Sequence, residues 1–297
     1  MSVYSNQRKN QRNTLILIFL FVGLVSAVFY VFSAYYNNPA FAFVGLGISV
    51  IQAAIAYFTG DRIALAVSGG KQVNQEQAPQ IHQIVENLSK IANIPKPKIY
   101  ISPDKSANAF ATGRNPDNAS ICLNQGILDI LTKSELEGVI AHELAHIKNR
   151  DILIMTVTMV LSSIISFIAD FGFRLMFWGG DKNRDNDSNS PIILILYIIT
   201  ILLAPFVSIL IQLSISRSRE YQADATAVVF TRYPQGLINA LLKLHQSPIP
   251  TSHYSTSMNH FYISEPKKDG AKMSKTFFPL THQLLTELKH FRVLPRL

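Results

Sequence analysis

The chain has 297 residues, 48% of them hydrophobic and only 15% charged, with a formal net charge of +8 and a mean hydropathy of +0.20. A soluble domain carries nearer a quarter charged residues, so this composition points to a membrane and excludes a disordered chain. The single cysteine, Cys122, excludes a disulfide framework and suits a reducing compartment.

The N-terminal tail carries Arg8, Lys9 and Arg12 and leads into an uncharged apolar run, 14–36. About 20 such residues span a bilayer. The run is too long for the apolar core of a signal peptide, and a second uncharged run, 39–60, follows after AYYNN. A basic, polar segment comes next, with Arg62, Lys71, Lys90, Lys96 and Lys98. Within it, 75–94 has helical periodicity through Ile81, Ile84, Val85, Leu88 and Ile91. The stretch SPDKSANAFATGRNPDNASICLNQG reads as short strands with turns at Asn115-Pro116 and at Asn124-Gln125-Gly126. Asn108, Ala109, Phe110 and Ala111 could form a sheet edge to which an extended substrate adds by backbone hydrogen bonds, or a plain structural strand.

Thr132 and Glu135 form a capping-box pattern, so a helix is expected to start there. It carries His142-Glu143-Leu144-Ala145-His146. Histidines at i and i+4 share a helical face and can bind one zinc ion, while Glu143 is placed to act on a water as base. A third apolar run, 152–169, begins directly afterwards, and a fourth occupies 191–216. The third can be read as a span or as a buried core helix. The loop between them mixes Lys182 and Arg184 with Asp181, Asp185 and Asp187. A helix starting with SREYQAD then offers Glu220 and Asp224, again i and i+4. They could be a solvated face paired with Arg217 and Arg219. Next to an HExxH motif, the hairpin can instead return Glu220 to the metal as third ligand, with Asp224 accepting a hydrogen bond from a ligand histidine.

HELAH followed by KNRD, then SREYQADATAV after two apolar segments, resembles the HtpX-type membrane metalloproteases of peptidase family M48. The likeness extends over SANAFATGRNPDNASICLNQGILDILTKSELEG and the order of the four apolar runs. It implies one zinc ion per chain held by His142, His146 and Glu220, with Glu143 as catalytic base. It also implies protein quality control and stress response in the bacterial cytoplasmic (inner) membrane, acting on misfolded membrane proteins. The C-terminus departs from the pattern: relatives carry a His-Pro-Pro stretch followed by an arginine. Here His282 holds the histidine place, but Gln283, Leu284 and Leu288 stand at the others. His282 is a candidate stabiliser of the transition state.

The expected fold is a mainly α membrane protein with about four transmembrane helices and an α+β, zincin-like cytoplasmic protease domain. Residues 1–60 would form the basic tail and first hairpin, 61–151 the part with the HExxH helix, 152–216 a second hairpin, and 217–297 the part completing the domain. Lysine and arginine placement puts both termini and the active site in the cytoplasm of a multi-pass protein. The expected function is zinc-dependent endopeptidase activity at the cytoplasmic membrane face. The alternatives are a catalytically idle scaffold or regulator, and an intramembrane protease; KSELEG before the motif and KNRD after it weigh against cleavage within the bilayer. The expected partners are protein substrates and the lipid bilayer. Scattered basic residues argue against nucleic acid.

Overall fold

The computed structural model of the protein describes residues 3–178 and 217–246. Two long helices come first, α1 (Val3–Tyr35) and α2 (Ala40–Val67), joined by a turn in which Asn37 takes a left-handed φ of 48°. Their apolar stretches, Asn10–Tyr35 with 26 residues and Ala40–Val67 with 28, are long and apolar enough to cross a membrane. At 1.5 Å per residue they measure about 39 Å and about 42 Å, against a hydrocarbon core of about 30 Å. A helix in a soluble core would bury its apolar surface, yet Phe19, Phe43, Val44, Ile51 and Phe58 all stand exposed.

The buried face of α2 is a line of small residues, among them Gly45, Ser49, Ala53, Ala56, Gly60 and Ala64. Small residues let helix backbones approach closely. A Cβ on Gly45 would lie 2.1 Å from Phe29 Cβ of α1, and one on Gly60 would lie 2.7 Å from Thr156 Cγ2. Thr156 belongs to a later helix, α6 (Ile152–Trp178), which packs on α1 and α2. The start of α6 is buried through Ile152, Ile154, Val157, Leu161 and Ile165. The third apolar run is therefore helical and enclosed by neighbours at its start. The fourth run, its preceding loop and His282 lie outside the described residues.

The polar segment builds a four-stranded sheet from β1 (Lys71–Gln72), β2 (Lys98–Ser102), β3 (Ala109–Gly113) and β4 (Ala119–Asn124), in the order β1-β2-β4-β3. β2 and β4 run parallel, with Tyr100 beside Cys122, and the other two pairs are antiparallel. β3 is thus an edge strand. Helices α3 (Pro79–Ala92), α5 (Lys133–Asn149), α7 (Arg217–Thr231) and α8 (Pro234–Gln246) complete this part around a shared apolar core. α5 lies at its centre: Val139, Ile140, Ala141, Leu144, Ala145 and Ile147 are all fully buried. Gly138 permits the approach of α8, since a Cβ there would lie 2.6 Å from the Leu237 backbone nitrogen. Lys243 of α8 reaches back to Glu135 Oε2 at 2.7 Å.

Local signals in the sequence meet the structure unevenly. The capping box forms, with Thr132 N–H donating to Glu135 Oε2 at 2.7 Å. Asn115 caps a 3-10 turn, Pro116–Asn118, between β3 and β4. The expected turn at Asn124-Gln125-Gly126 is corrected: β4 runs directly into a short helix, α4 (Gln125–Ile130). Gly126 is needed there for close packing, because a Cβ would lie 2.0 Å from the Lys105 carbonyl oxygen. The periodic segment 75–94 is helical only over Pro79–Ala92, where Pro79 opens the first turn. Ile91 is 57% exposed, and Ala92 fills the core beside Leu88 instead. Cys122 is fully buried, and burial pushes its thiol up to about 12, which leaves it unreactive.

Candidate active site

α5 places His142, Glu143 and His146 on its buried surface, each no more than 4% exposed. The helix ends where Arg150 adopts a left-handed φ of 58°, and Asp151 N–H then donates to the His146 carbonyl at 3.0 Å. That reversal folds Asp151 back over the helix it has just left. α7 packs against α5 and brings up Glu220 and Asp224, more than 70 residues further along the chain.

Three ligand-type atoms converge. His142 Nε2 and His146 Nε2 are 3.1 Å apart, and Glu220 Oε2 lies 3.6 Å and 3.7 Å from them. Ligands about 2.0–2.1 Å from a tetrahedral zinc ion stand about 3.3 Å from one another, so the triangle fits such an ion. His142, His146 and Glu220 form a set able to hold a metal among the described residues. Two neutral imidazoles and one carboxylate suit zinc chemically, and three protein ligands leave a fourth position open.

The other nitrogen of each histidine is also engaged. His142 Nδ1 lies 2.9 Å from Asp224 Oδ1, and His146 Nδ1 lies 3.2 Å from Asp151 Oδ2. A carboxylate on Nδ1 fixes the tautomer that leaves Nε2 free for a metal. Asp224 was legible from the sequence as the fourth residue after Glu220. Asp151 was not: it sits inside the quoted KNRD, five residues after His146, and its approach depends on the left-handed turn at Arg150. Arg219, 8% exposed, is a second addition. Its charge acts on both Asp151 and Glu220.

The electrostatics describe the metal-free site. Burial pushes both histidines down, but neighbouring carboxylates outweigh it. Asp224 and Glu220 raise His142 well above its ordinary value, and Glu220 and Asp151 raise His146. Burial likewise pushes Glu220 up, yet His146, His142 and Arg219 hold it down, at about 2. Glu143 goes the other way: burial raises it, with the two histidines only partly opposing.

β3 borders the site. Three alternate residues direct their N–H groups away from β4. Ala109 N–H donates to Asn108 Oδ1 at 3.0 Å and Gly113 N–H to Thr156 Oγ1 at 3.2 Å, while the Ala111 N–H acts on the Glu143 carboxyl and lowers its pKa. Asn108–Ala111 therefore stand beside the HExxH helix, buried at the edge of the sheet. Phe110 points to the opposite side, into the cluster shared with α1, α2 and α6. The far end of the strand meets the apolar hairpin, where Arg114 lies 5.6 Å over the Phe58 ring.

The chain is similar to known proteins over most of its length. The model of peptidase family M48 matches residues 75–283. A Protease HtpX homolog of Streptococcus gordonii is 38% identical over 284 residues, covering 94% of this chain and 95% of its own. A Protease HtpX homolog of Caldanaerobacter subterraneus subsp. tengcongensis is 40% identical over 269 residues, covering 89% and 90%. The crystal structure of S. mikatae Ste24p is a distant likeness, at TM-score 0.47 and 20% identity, covering 86% of this chain and 64% of its own.

Proposed function

The chain belongs to peptidase family M48, and on that premise we propose that it is a zinc endopeptidase working at the cytoplasmic face of a bacterial inner membrane. The observation that carries the reading is the triangle of His142, His146 and Glu220, with Glu143 beside it on the same helix. Membership makes the chain a membrane metalloprotease; the ion, the cleavage face and the substrates are the proposed part.

His142, His146 and Glu220 would hold the zinc ion, which would supply Lewis acidity and a water of pKa lowered towards about 7. Glu143 takes the proton of the attacking water and returns it to the leaving amine. Burial raises its carboxyl above the ordinary carboxylate range, which suits a group that must hold the proton before passing it on. Asp224 and Asp151 hold the two imidazoles in register. An extended substrate adds to the edge of β3, where the Ala111 N–H, beside Glu143, is available to its backbone carbonyl. His282 keeps its proposed part in steadying the transition state.

Two features support cleavage at the membrane face rather than inside the bilayer. α5 is embedded in a domain whose outer helix, α3, carries exposed ion pairs of Glu86 with Lys90 and Lys96, which belong in water. The same domain is joined at the end of β3 to α2, through Arg114 over Phe58, and to α6, through the Gly113 N–H on Thr156 Oγ1. Substrates leaving the bilayer, such as misfolded membrane proteins in a stressed cell, would meet that edge first.

The decisive experiment is Glu143→Gln. Glu143 is a base and not a ligand in this reading, so the variant should keep zinc while cleavage falls about 10²–10⁴-fold. Metal analysis beside hydrolysis of an unfolded protein substrate by the purified chain reads both. Near-normal turnover, with contaminating proteases excluded, would sink the mechanism.

A further inference from the structure

Asn10 is an unexpected residue where it stands. It lies at the foot of α1, where the 26-residue apolar stretch begins, yet it is only 4% exposed. Asparagine is a poor helix former, and an amide removed from water must find partners. Asn10 finds them 141 residues away: its Nδ2 donates to Asp151 Oδ1. Its backbone carbonyl separately accepts from Thr14 Oγ1 at 2.9 Å, and Thr14 is also buried.

Asp151 is the reason this contact matters. It is 1% exposed, and its two oxygens face different partners, Oδ1 the Asn10 amide and Oδ2 the His146 Nδ1. It also stands at the junction of α5 and α6, with its backbone carbonyl accepting from Met155 N–H at 3.2 Å. Arg219 attracts the same carboxylate by its charge, and the Asn10 amide adds a directed donor at the oxygen that His146 does not use. With both oxygens engaged, the plane of the carboxylate is set, and with it the imidazole that it steadies.

Given the metal-centre reading above, we infer that Asn10 is a positioning residue for the metal site, acting through Asp151 on His146. The first apolar helix is thereby wired to the zinc ligands by two hydrogen bonds. Metal affinity depends on how α1 is seated against α5 and α6, so the membrane hairpin is part of the active-site scaffold as well as an anchor.

The test is zinc affinity of the full-length protein in detergent, measured by competition with a chelator. Asn10→Ala should weaken zinc about 3–30-fold, somewhat less than the about 10–100-fold typical for losing a direct partner of a ligand. Asn10→Asp has nearly the same shape but replaces the donor by an acceptor facing Asp151, so it should weaken zinc at least as much. The exchange Asn10→Asp with Asp151→Asn restores a donor and an acceptor to the pair and should bind zinc more tightly than Asn10→Asp alone. A role in folding only would not produce that rescue. Wild-type affinity in both single variants, or no rescue by the exchange, overturns the inference and leaves the metal site standing. Failure of the wild-type chain to bind zinc overturns the metal-centre reading itself, and this inference with it.

Discussion

Zinc must displace protons from His142 and His146 before it can bind. Their carboxylate neighbours raise both imidazoles in the metal-free site despite burial, so both stay protonated to a higher pH than a free histidine. Because the metal takes only the neutral rings, affinity should rise with pH. Below the raised values, each protonated ring costs up to about tenfold per pH unit, and two together up to about 100-fold. Chelator competition from about pH 5.5 to about pH 8 should give a steep slope persisting above the usual histidine range. A flat profile would mean that the rings are not the ligands. The carboxylates divide in a similar way. Glu220→Ala should empty the site, whereas Asp224→Ala should cost about 10–100-fold in affinity, since it removes only the partner of His142 Nδ1. Metal analysis after dialysis checks this, and the reverse order would exchange the two roles.

At the scale of elements, the hairpin of β3 and β4 sets the edge beside Glu143, and Gly113 sets the hairpin. Its φ of +140° is accessible almost only to glycine. A Cβ there would lie 2.2 Å from the Asn118 carbonyl oxygen, which is backbone and cannot step aside. Gly113→Ala should therefore destabilise the protein by about 2–3 kcal/mol, visible as a lowered Tm in detergent. It should also disturb the Gly113–Thr156 bond that fastens the edge strand to α6. An unchanged Tm would show that the turn tolerates a side chain. The same elements show where sequence patterns stop being informative. The HExxH helix was legible because its capping box and i, i+4 ligands are local. The sheet order was not, since the parallel pairing of β2 with β4 joins segments whose residues carry no mutual mark. Ile91 fits the period of α3, but the next residue, Ala92, takes the buried position at the capped end of the helix.

For the whole molecule, orientation is the quantity that basic residues encode and geometry does not. Both termini and the α5 site are expected in the cytoplasm, with the Asn37 turn and the loop near Ser188 outside. Lys182 and Arg184 lie in that second loop and weigh against the assignment there. A cysteine at Ser188, in a Cys122→Ala background, should react with an impermeant thiol reagent added outside, as should one at Asn37. Labelling at Ser188 only after the membrane is broken would mean that the segments 152–169 and 191–216 do not cross. The zinc site would be unaffected, because its residues lie on α5 and α7.

The sequence alone determined the two exposed apolar helices, the HExxH helix, the paired acidic positions Glu220 and Asp224, and the family. Each of these is written in residues a few positions apart, where helical period and side-chain chemistry are sufficient. Only the tertiary structure decided that Glu220 closes a triangle with His142 and His146, that β3 is an edge strand, and that Asp151 and Asn10 stand behind His146. Those relations join residues up to 141 positions apart. They depend on a left-handed turn at Arg150 and on helices that approach through glycine and alanine, which no short-range pattern records.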